Sequence, residues 1–387
     1  MATVARAEER HNVSTLELFF DLVFVFAITQ VTALLAADPT LGGVLRGVLL
    51  LALVYWSWVA YSWLGTSARV DDRTTTAAML GAMAAMFVAA VLLPQWFSGG
   101  GLAVAAALAY AAVRVMHLLM FLLLGSGSPG LRAATLRLAG SVLVSVVLLL
   151  VGAVVGGSWQ LVFVFAAVLI DPIGAFLGKG EGWYLSAEHF AERHGLIMII
   201  ALGESLIALG LAVSGYGPTV ALIGLSVFGA LLASLVYALY FRRTAAPLLE
   251  ALDAVVGAAQ ARFGRDVYSY GHFPLIAGVV ALALVLKKSA SAVAKDGWWA
   301  ELSGIAPGAL LAAALLIVGG VLLLRVRAGV GVRGQLAAGL VLASAGGVAA
   351  WFTPAAMALI IFAAGLATAI GVPARFAANE PAQRLPD

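Results

Sequence analysis

Long apolar segments recur along the chain, and each is about as long as a bilayer is thick. A membrane-spanning helix needs about 20 mostly apolar residues. Short polar connections separate twelve such segments, which run at about 15–36, 44–65, 74–94, 102–124, 132–155, 158–178, 189–212, 218–241, 269–288, 303–324, 334–351 and 354–372. The pattern predicts an all-α, polytopic integral membrane protein with about 12 transmembrane helices.

Positive charges gather in alternate connections between these spans, as they do in cytoplasmic loops. They are Arg6, Arg10, Arg69, Arg73, Arg132, Arg137, Lys179, Arg242, Arg243, Arg262, Arg265, Arg325, Arg327, Arg333, Arg375 and Arg384. The exceptions are Arg46 and the group Lys287, Lys288 and Lys295. The pattern predicts an even number of spans with both termini in the cytoplasm.

The spacing of the spans also predicts two similar halves, at roughly 14–180 and 188–375, within one transmembrane domain (1–375). Six spans in each half would be parallel repeats related by an axis along the membrane normal. An amphipathic stretch at about 245–265 is predicted to lie at the membrane interface. The polar tail at 376–387 is predicted to be disordered.

Composition supports the membrane assignment. Of the 387 residues, 63% are hydrophobic and 11% are charged, against about 45–50% and about 25% in soluble domains. The net charge is +3, and cysteine is absent. Without cysteine, disulfides and thiolate chemistry are excluded. Nucleic acid is not an expected partner of so apolar a chain, and no cofactor is predicted. The expected partners are the lipid bilayer and a small molecule, ion or lipid-soluble substrate.

Ionisable residues inside the spans are the candidates for function, because each costs at least about 2.5–3.5 kcal/mol at mid-bilayer. Span one carries Glu17 and Asp21, which are four residues apart and share a helical face. Ser14 or Thr15 is a candidate N-cap with Glu17 as its acidic partner. A cap would explain Glu17 but not Asp21, which lies one turn deeper.

Further candidates lie in spans four and six. Tyr110, Arg114 and His117 share one face of span four, and Arg114 lies too deep to reach water and needs a carboxylate. Arg114 is either a structural salt-bridge partner or a site residue.

In span six Asp171 precedes Pro172, which breaks the helical hydrogen bonding. Either Asp171 lines a cavity at a broken helix, or span six ends there.

Span seven carries His189, Glu192, Arg193, His194 and Glu204. Its spacing puts His189, Arg193 and Glu204 on one face, with Glu204 near mid-membrane. A metal site is not predicted, because His189 and Glu192 stand in the reverse of the usual Glu-x-x-His order.

The buried acids would outnumber the buried guanidiniums if these faces meet. Five carboxylates, namely Glu17, Asp21, Asp171, Glu192 and Glu204, would share Arg114 and Arg193. Not all five can ionise in a low dielectric. The surplus should therefore be protonated, hydrated or neutralised by a bound cation.

Aromatic side chains end span two, in the run VYWSWVAYSW. They are typical of an aromatic belt at the membrane interface. Alternatively Trp56, Trp58 and Phe24 of span one form an aromatic cavity wall, which attracts cations.

Four segments of the chain resemble a known family. Glu17-Leu-Phe-Phe-Asp21, the run Glu188-His189-Phe190-Ala191-Glu192-Arg193-His194 and Gly203-Glu204-Ser205 are similar to segments of the bacterial low-temperature-requirement A (LtrA) family, as is YGHFPLIAG at 270–278. The resemblance covers essentially the whole chain. It implies a multi-spanning protein of the bacterial inner membrane and no particular biochemical activity.

Three functions fit these observations. The first is a secondary transporter or proton-coupled permease, in which Glu204 and the Glu17/Asp21 pair carry protons or a cation, Arg114 holds an anionic group and His117 or His194 relays protons. The second is an intramembrane enzyme, with Asp21 or Glu204 as an acid toward an isoprenoid-like substrate. The third is a non-catalytic membrane-stress factor with structural charges.

Overall fold

The computed structural model describes residues 13–67, 73–332 and 334–371. These residues are almost entirely helical, and their one β-type contact is an isolated bridge between Glu301 and Pro354. The all-α prediction is confirmed. The first twelve residues and the predicted tail at 376–387 lie outside the described residues.

Within the described ranges, ten helices are long and apolar enough to cross a membrane. They are α1 (Thr15–Ala37), α2 (Leu41–Ser67), α3 (Arg73–Leu92), α4 (Gly100–Leu124), α5 (Pro129–Val155), α6 (Gly157–Leu177), α7 (Ala187–Tyr216), α8 (Val220–Phe241), α11 (His272–Asp296) and α12 (Ala306–Arg327). N-caps define several starts: Ser14, Ser128 and Thr219 accept a hydrogen bond from the first turns of α1, α5 and α8. The multi-pass architecture follows from these helices.

The two remaining predicted spans form shorter helices, α13 (Gly334–Ala349) and α14 (Ala355–Ile370), of 16 residues each. At 1.5 Å per residue, each is about 24 Å long, less than the hydrocarbon core of about 30 Å. The number of helices that cross the membrane, their orientation and the two-half repeat stay predictions.

The stretch predicted as an interfacial helix has a more complex structure. It forms α9 (Ala245–Asp253) and α10 (Gly257–Phe263), separated at Gly257, whose φ is +62°. A π-helical segment (Gly264–Tyr270) then leads directly into α11. Single-turn π-helices are rare and often lie at functional sites.

The charges that broke the topology pattern have local partners. Arg46 pairs with Asp38 between α1 and α2, and the hydroxyl of Thr40 also donates to Asp38. Thr40 and Arg46 together lower the pKa of Asp38. Lys288 donates to the carbonyl of Ala36 at 2.8 Å. The predicted span ends at 288, which would put Lys287 and Lys288 at the end of the helix. Helix α11 instead runs on to Asp296, so both lysines lie within it.

Helix α7 lies at the centre of the bundle, where it packs against α1, α8 and α11. Helix α2 contacts α1, α4, α6, α7 and α11, so both helices can carry polar groups away from lipid. The outward faces of α5 and α6 expose large apolar side chains such as Val154 and Phe176. Such exposure is expected of surfaces that meet lipid.

Small residues join the last two helices. A Cβ at Gly365 of α14 would lie 2.3 Å from the backbone nitrogen of Ala343 in α13, and one at Gly346 would lie 2.6 Å from that of Phe362. The two backbones are therefore as close as glycine allows, a common way for helices to associate in membranes.

We expect Gly365→Ala to destabilise the protein by about 1–3 kcal/mol, because the added methyl group overlaps backbone atoms. Thermal unfolding followed by tryptophan fluorescence measures the effect. Gly210→Ala is the matched control, since a Cβ at Gly210 meets nothing within 4 Å. Equal melting temperatures for both variants would contradict the close packing of α13 on α14.

Candidate functional site

Glu17 caps α1 and also contacts α7. Ser14 and Glu17 form a capping box, in which the backbone N–H of Ser14 donates to Glu17 Oε2 at 2.9 Å. The same oxygen lies 3.1 Å from Nε2 of His189. Glu17 therefore serves both the cap and the contact between two helices.

Asp21 forms the centre of a buried ion cluster one turn deeper. Its Oδ1 accepts hydrogen bonds from Arg193 Nη2 at 2.9 Å and from Trp58 Nε1 at 3.0 Å. The guanidinium of Arg193 lies 5.6 Å from the centre of the Trp58 ring and has no exposed surface. Glu17 Oε1 lies 4.0 Å from Arg193 Nη1. One cation thus neutralises acids from two turns of α1.

Helices α1 and α7 lie parallel, with one constant register. His189 follows Glu17 by 172 residues, and Arg193 follows Asp21 by the same 172. Thr32 and Glu204, which also interact, have the same separation. Equal offsets along two helices mean that the helices run in the same direction. The predicted repeat of two halves requires its first and seventh spans to run in the same direction.

A glycine in α2 makes room for the Glu17 contact. A Cβ at Gly65 would lie 2.0 Å from Glu17 Oε1 and 3.3 Å from Cε1 of His189. Any side chain there would displace the carboxylate, so Gly65 is part of the cluster that α1, α2 and α7 form.

Glu204 is separate from this cluster. It lies eleven residues after Arg193, about 16 Å farther along α7 at 1.5 Å per residue. It has no exposed surface, and neither carboxylate oxygen makes a hydrogen bond to the described residues. Its interacting neighbours are Thr32 of α1 and Lys287 of α11. No guanidinium is among them, so Glu204 differs from the other buried acids.

A second ion pair joins α4 to α6. Arg114 Nη2 lies 2.6 Å from Asp171 Oδ2, and both side chains are buried. Arg114 Nη1 donates to the carbonyl of Trp56 at 3.4 Å, and the hydroxyl of Tyr110 donates to that of Leu53 at 3.3 Å. The predicted common face of α4 therefore packs on α2.

Span six does not end at Asp171. Helix α6 continues through Pro172 to Leu177. Since proline lacks an N–H, the carbonyl of Val168, one turn earlier, has no helical donor. The Pro172 carbonyl accepts from the hydroxyl of Tyr270 at 2.6 Å. The helix-end alternative for Asp171 is therefore wrong, and Asp171 lines a cavity beside a proline inside a continuous helix.

Two cavities meet at this ion pair. The first, of about 80 Å³, contains Arg114, His117, Arg137, Asp171 and Arg265 among its lining residues. The second, of about 260 Å³, is lined mostly by apolar residues of α2, α6 and α11. Trp56, Asp171 and Tyr270 line both. The rings of Trp56 and Tyr270 stack where the two cavities meet, with their centres 5.3 Å apart.

The two candidate histidines have different surroundings. His117 lines the first cavity between the rings of Tyr61 and Phe121. Neither of its ring nitrogens makes a hydrogen bond of normal geometry to the described residues. His194 lines neither cavity. Its Nδ1 lies 2.9 Å from the Phe190 carbonyl, and its ring packs on His272.

The prediction that Glu192 is a buried acid is wrong. Its side chain is exposed, and it accepts a hydrogen bond from the backbone N–H of Val13 at 3.2 Å. Helix α7 turns this position away from α1, so water can solvate the charge. Four of the five predicted acids are buried, and they do not share one site.

The aromatic residues of α2 lie inside the bundle rather than in an interfacial belt. Trp58 is fully buried against Asp21 and Arg193, whereas Trp56 lines both cavities. Phe24 packs on Phe20 and lines neither cavity. Of the predicted aromatic wall, Trp56 alone has that position.

Sequence reasoning missed three residues. Hydropathy placed Lys287 at the end of a predicted span (269–288), although it neighbours Glu204. Arg265 and Tyr270 belong to the π-helical segment and line the first cavity. The run YSYGH offered a signal, because its closely spaced polar aromatic residues fit poorly in a simple transmembrane helix.

Among the described residues, no group of three or more His, Cys, Asp or Glu side chains has metal-binding geometry.

Comparison with known proteins decides the family. The family profile described as bacterial low temperature requirement A protein (LtrA) matches residues 12–371. The chain belongs to this family. An uncharacterized protein of Rhizobium meliloti (strain 1021) is 28% identical to this LtrA protein over 281 residues, which cover 69% of this chain and 67% of the relative. No solved structure matches the chain.

The register of α1 and α7 predicts a cross-link in this cysteine-free LtrA chain. Ile28 and Ile200 also differ by 172 positions and lie seven residues beyond Asp21 and Arg193. We expect an Ile28→Cys/Ile200→Cys pair to form a disulfide on mild oxidation, detected by mass spectrometry of the digested protein. Leu22→Cys paired with Ile200→Cys is the control, because Leu22 faces outward. Cross-linking only in the control would contradict the register.

The Arg114–Asp171 pair predicts a non-additive effect on stability. Asp171→Asn leaves a buried guanidinium without its carboxylate, so we expect a loss of about 3–5 kcal/mol. The apolar double variant Arg114→Met/Asp171→Leu should recover most of it, because it removes both charges. Denaturant unfolding in detergent measures these variants together with the single variants Arg114→Met and Asp171→Leu. A double variant as unstable as the sum of its single variants would show that the two charges are not coupled.

Proposed function

We propose that this LtrA protein is a proton-coupled secondary transporter of the bacterial cytoplasmic membrane, with both termini in the cytoplasm. The observation that carries the proposal is a cavity at a buried ion pair, Arg114–Asp171, between two distorted helical segments. Transporters commonly bind their substrates near mid-membrane, at helices whose regular hydrogen bonding is interrupted.

The two distorted segments face each other across the cavity. On one side is α6 with Pro172, and on the other is the π-helical segment that ends at Tyr270. The hydroxyl of Tyr270 donates to the Pro172 carbonyl, and its ring stacks on Trp56. These contacts lie where the two cavities meet. We infer that breaking them opens a passage between the cavities, as a gate must.

Glu204 is the best-placed residue to carry the coupling proton. Asp21 and Glu17 share Arg193, and Asp171 has Arg114. The polar groups that interact with Glu204 among the described residues are Thr32 and Lys287. A carboxylate that lacks a guanidinium partner in a dry site gains most from binding a proton. Its position on α7 links it to the Arg193 cluster through one rigid helix.

The enzyme hypothesis has weaker support. Its proposed acids, Asp21 and Glu204, line neither of the two cavities. The acid that does, Asp171, is paired with Arg114 at 2.6 Å and is therefore a poor proton donor to an alkene. The non-catalytic hypothesis is favoured by one observation, namely that the Arg193 cluster joins three helices and lines neither of the two cavities.

Proton flux in liposomes tests the proposal. The purified protein is reconstituted with a trapped pH-sensitive dye, a pH gradient is imposed, and a panel of organic anions, cations and neutral solutes is added. We expect one class of solute to collapse the gradient. Glu204→Gln should reduce this proton movement at least tenfold, because an amide does not bind and release the proton.

Glu250→Gln is the matched control, since Glu250 is exposed on α9 and should behave like the wild type. If no solute moves protons through the wild-type protein, the transporter proposal fails. If Glu204→Gln retains full coupled flux, the transporter stands but Glu204 is not its proton carrier.

A further inference from the structure

The two cavities differ sharply in chemistry although they share a wall. We call the first the arginine lobe and the second the apolar lobe. The arginine lobe contains three guanidiniums, from Arg114, Arg137 and Arg265, and one carboxylate, from Asp171. The apolar lobe has Asp171 as its only charged residue, at the junction.

The arginine lobe keeps unused capacity to bind an anion. Arg137 donates to the carbonyl of Glu181 at 2.9 Å, and no carboxylate among the described residues pairs with it. Arg114 is 3% exposed, and its Nε makes no hydrogen bond there. Arg265, in contrast, is occupied by Asp266. Guanidiniums suit phosphate and carboxylate groups because their donors form a planar fork.

The apolar lobe leads from this junction to the lipid-facing surface. Its remaining lining residues are Ala52, Leu53, Trp56, Ala167, Val168, Leu169, Pro172, Tyr270 and Phe273. Leu169 is 46% exposed on the outer face of α6, whereas Ala167 is fully buried. The lobe therefore extends from the interior of the bundle to the side of α6, where acyl chains of the bilayer would lie.

We propose that the ligand of this site is an amphiphilic anion. Its anionic headgroup lies among Arg114, Arg137 and Arg265, and its single apolar chain lies in the apolar lobe, which it enters laterally from the membrane. Trp56 and Tyr270 pack against the point where headgroup and chain join. This assignment rests on the proposed function, because it names the substrate class of the same site.

Binding in nanodiscs of zwitterionic lipid tests the assignment, with isothermal titration calorimetry as the readout. The probes are hexyl phosphate, inorganic phosphate and hexyltrimethylammonium, which separate the contribution of the chain from that of the charge. We expect hexyl phosphate to bind at least tenfold more tightly than inorganic phosphate. Hexyltrimethylammonium should not bind, because it carries the sign of charge already in excess in the arginine lobe.

Two variants assign the two lobes. Arg137→Gln should weaken hexyl phosphate binding at least tenfold, whereas Arg132→Gln, at an exposed position on the same helix, should not. Ala52→Phe fills the apolar lobe from a half-buried position. It should lower the affinity for hexyl phosphate to that for inorganic phosphate. Unchanged melting temperatures show that both variants fold.

The source of the amphiphile is distinguished by competition. If nanodiscs that contain lysophosphatidic acid, a single-chain anionic lipid, block hexyl phosphate, the natural ligand is a membrane lipid. If they do not, it is a free amphiphile. Equal binding of the two phosphates, preferential binding of the cation, or an Arg137→Gln protein that binds normally would each overturn the assignment.

The assignment and the transporter proposal fail differently. Hexyl phosphate that binds as expected but drives no proton movement would support the amphiphile site and overturn transport. Coupled flux of a cation or a neutral solute, without hexyl phosphate binding, would support transport and overturn the amphiphile.

Discussion

Burying a guanidinium where water cannot reach it is the constraint on which the bundle depends. Arg193 is fully enclosed, and breaking such a pair costs about 3–5 kcal/mol, so its partners must be in place. Asp21 and Glu17 supply charge from α1, and Trp58 of α2 supplies a ring and a hydrogen bond to the same carboxylate. The cluster therefore fixes α1, α2 and α7 relative to one another.

The second guanidinium satisfies the same constraint differently. Arg114 has one carboxylate, Asp171, and borders a cavity, with one donor left unused. Arg193 has two acids and lines neither of the two cavities. The comparison separates a structural ion cluster from a site that can exchange partners. An anion that enters beside Arg114 adds to the pair without leaving a bare charge.

Sequence patterns could locate the buried charges but could not show which of them lie together in the fold. Asp171 was predictable, because an acid before proline within an apolar run has few other roles. Glu192 was not, since helical periodicity gives the angle between residues and does not fix which face meets a neighbour. The π-helical segment before α11 changes the angle between successive side chains around the helix axis. The directions of Arg265 and Tyr270 could therefore be read only from the tertiary structure. The proximity of Lys287 to Glu204 depends on where α11 ends, and hydropathy placed that end at 288 instead of Asp296.

The constant register of α1 and α7 limits which helices can move. Sliding one past the other would break the contacts of Glu17, Asp21 and Thr32 at the same time, so these two helices move as one body. Helix α6 is held differently. It packs mainly on α5. Its polar contacts with the centre are the Arg114–Asp171 pair, the Tyr270–Pro172 hydrogen bond and the hydrogen bonds from Arg265 to the carbonyls of Ala175 and Phe176. Because Arg114, Asp171, Arg265 and Tyr270 all line the cavity that a ligand would fill, α6 is the element whose attachment ligand binding can change.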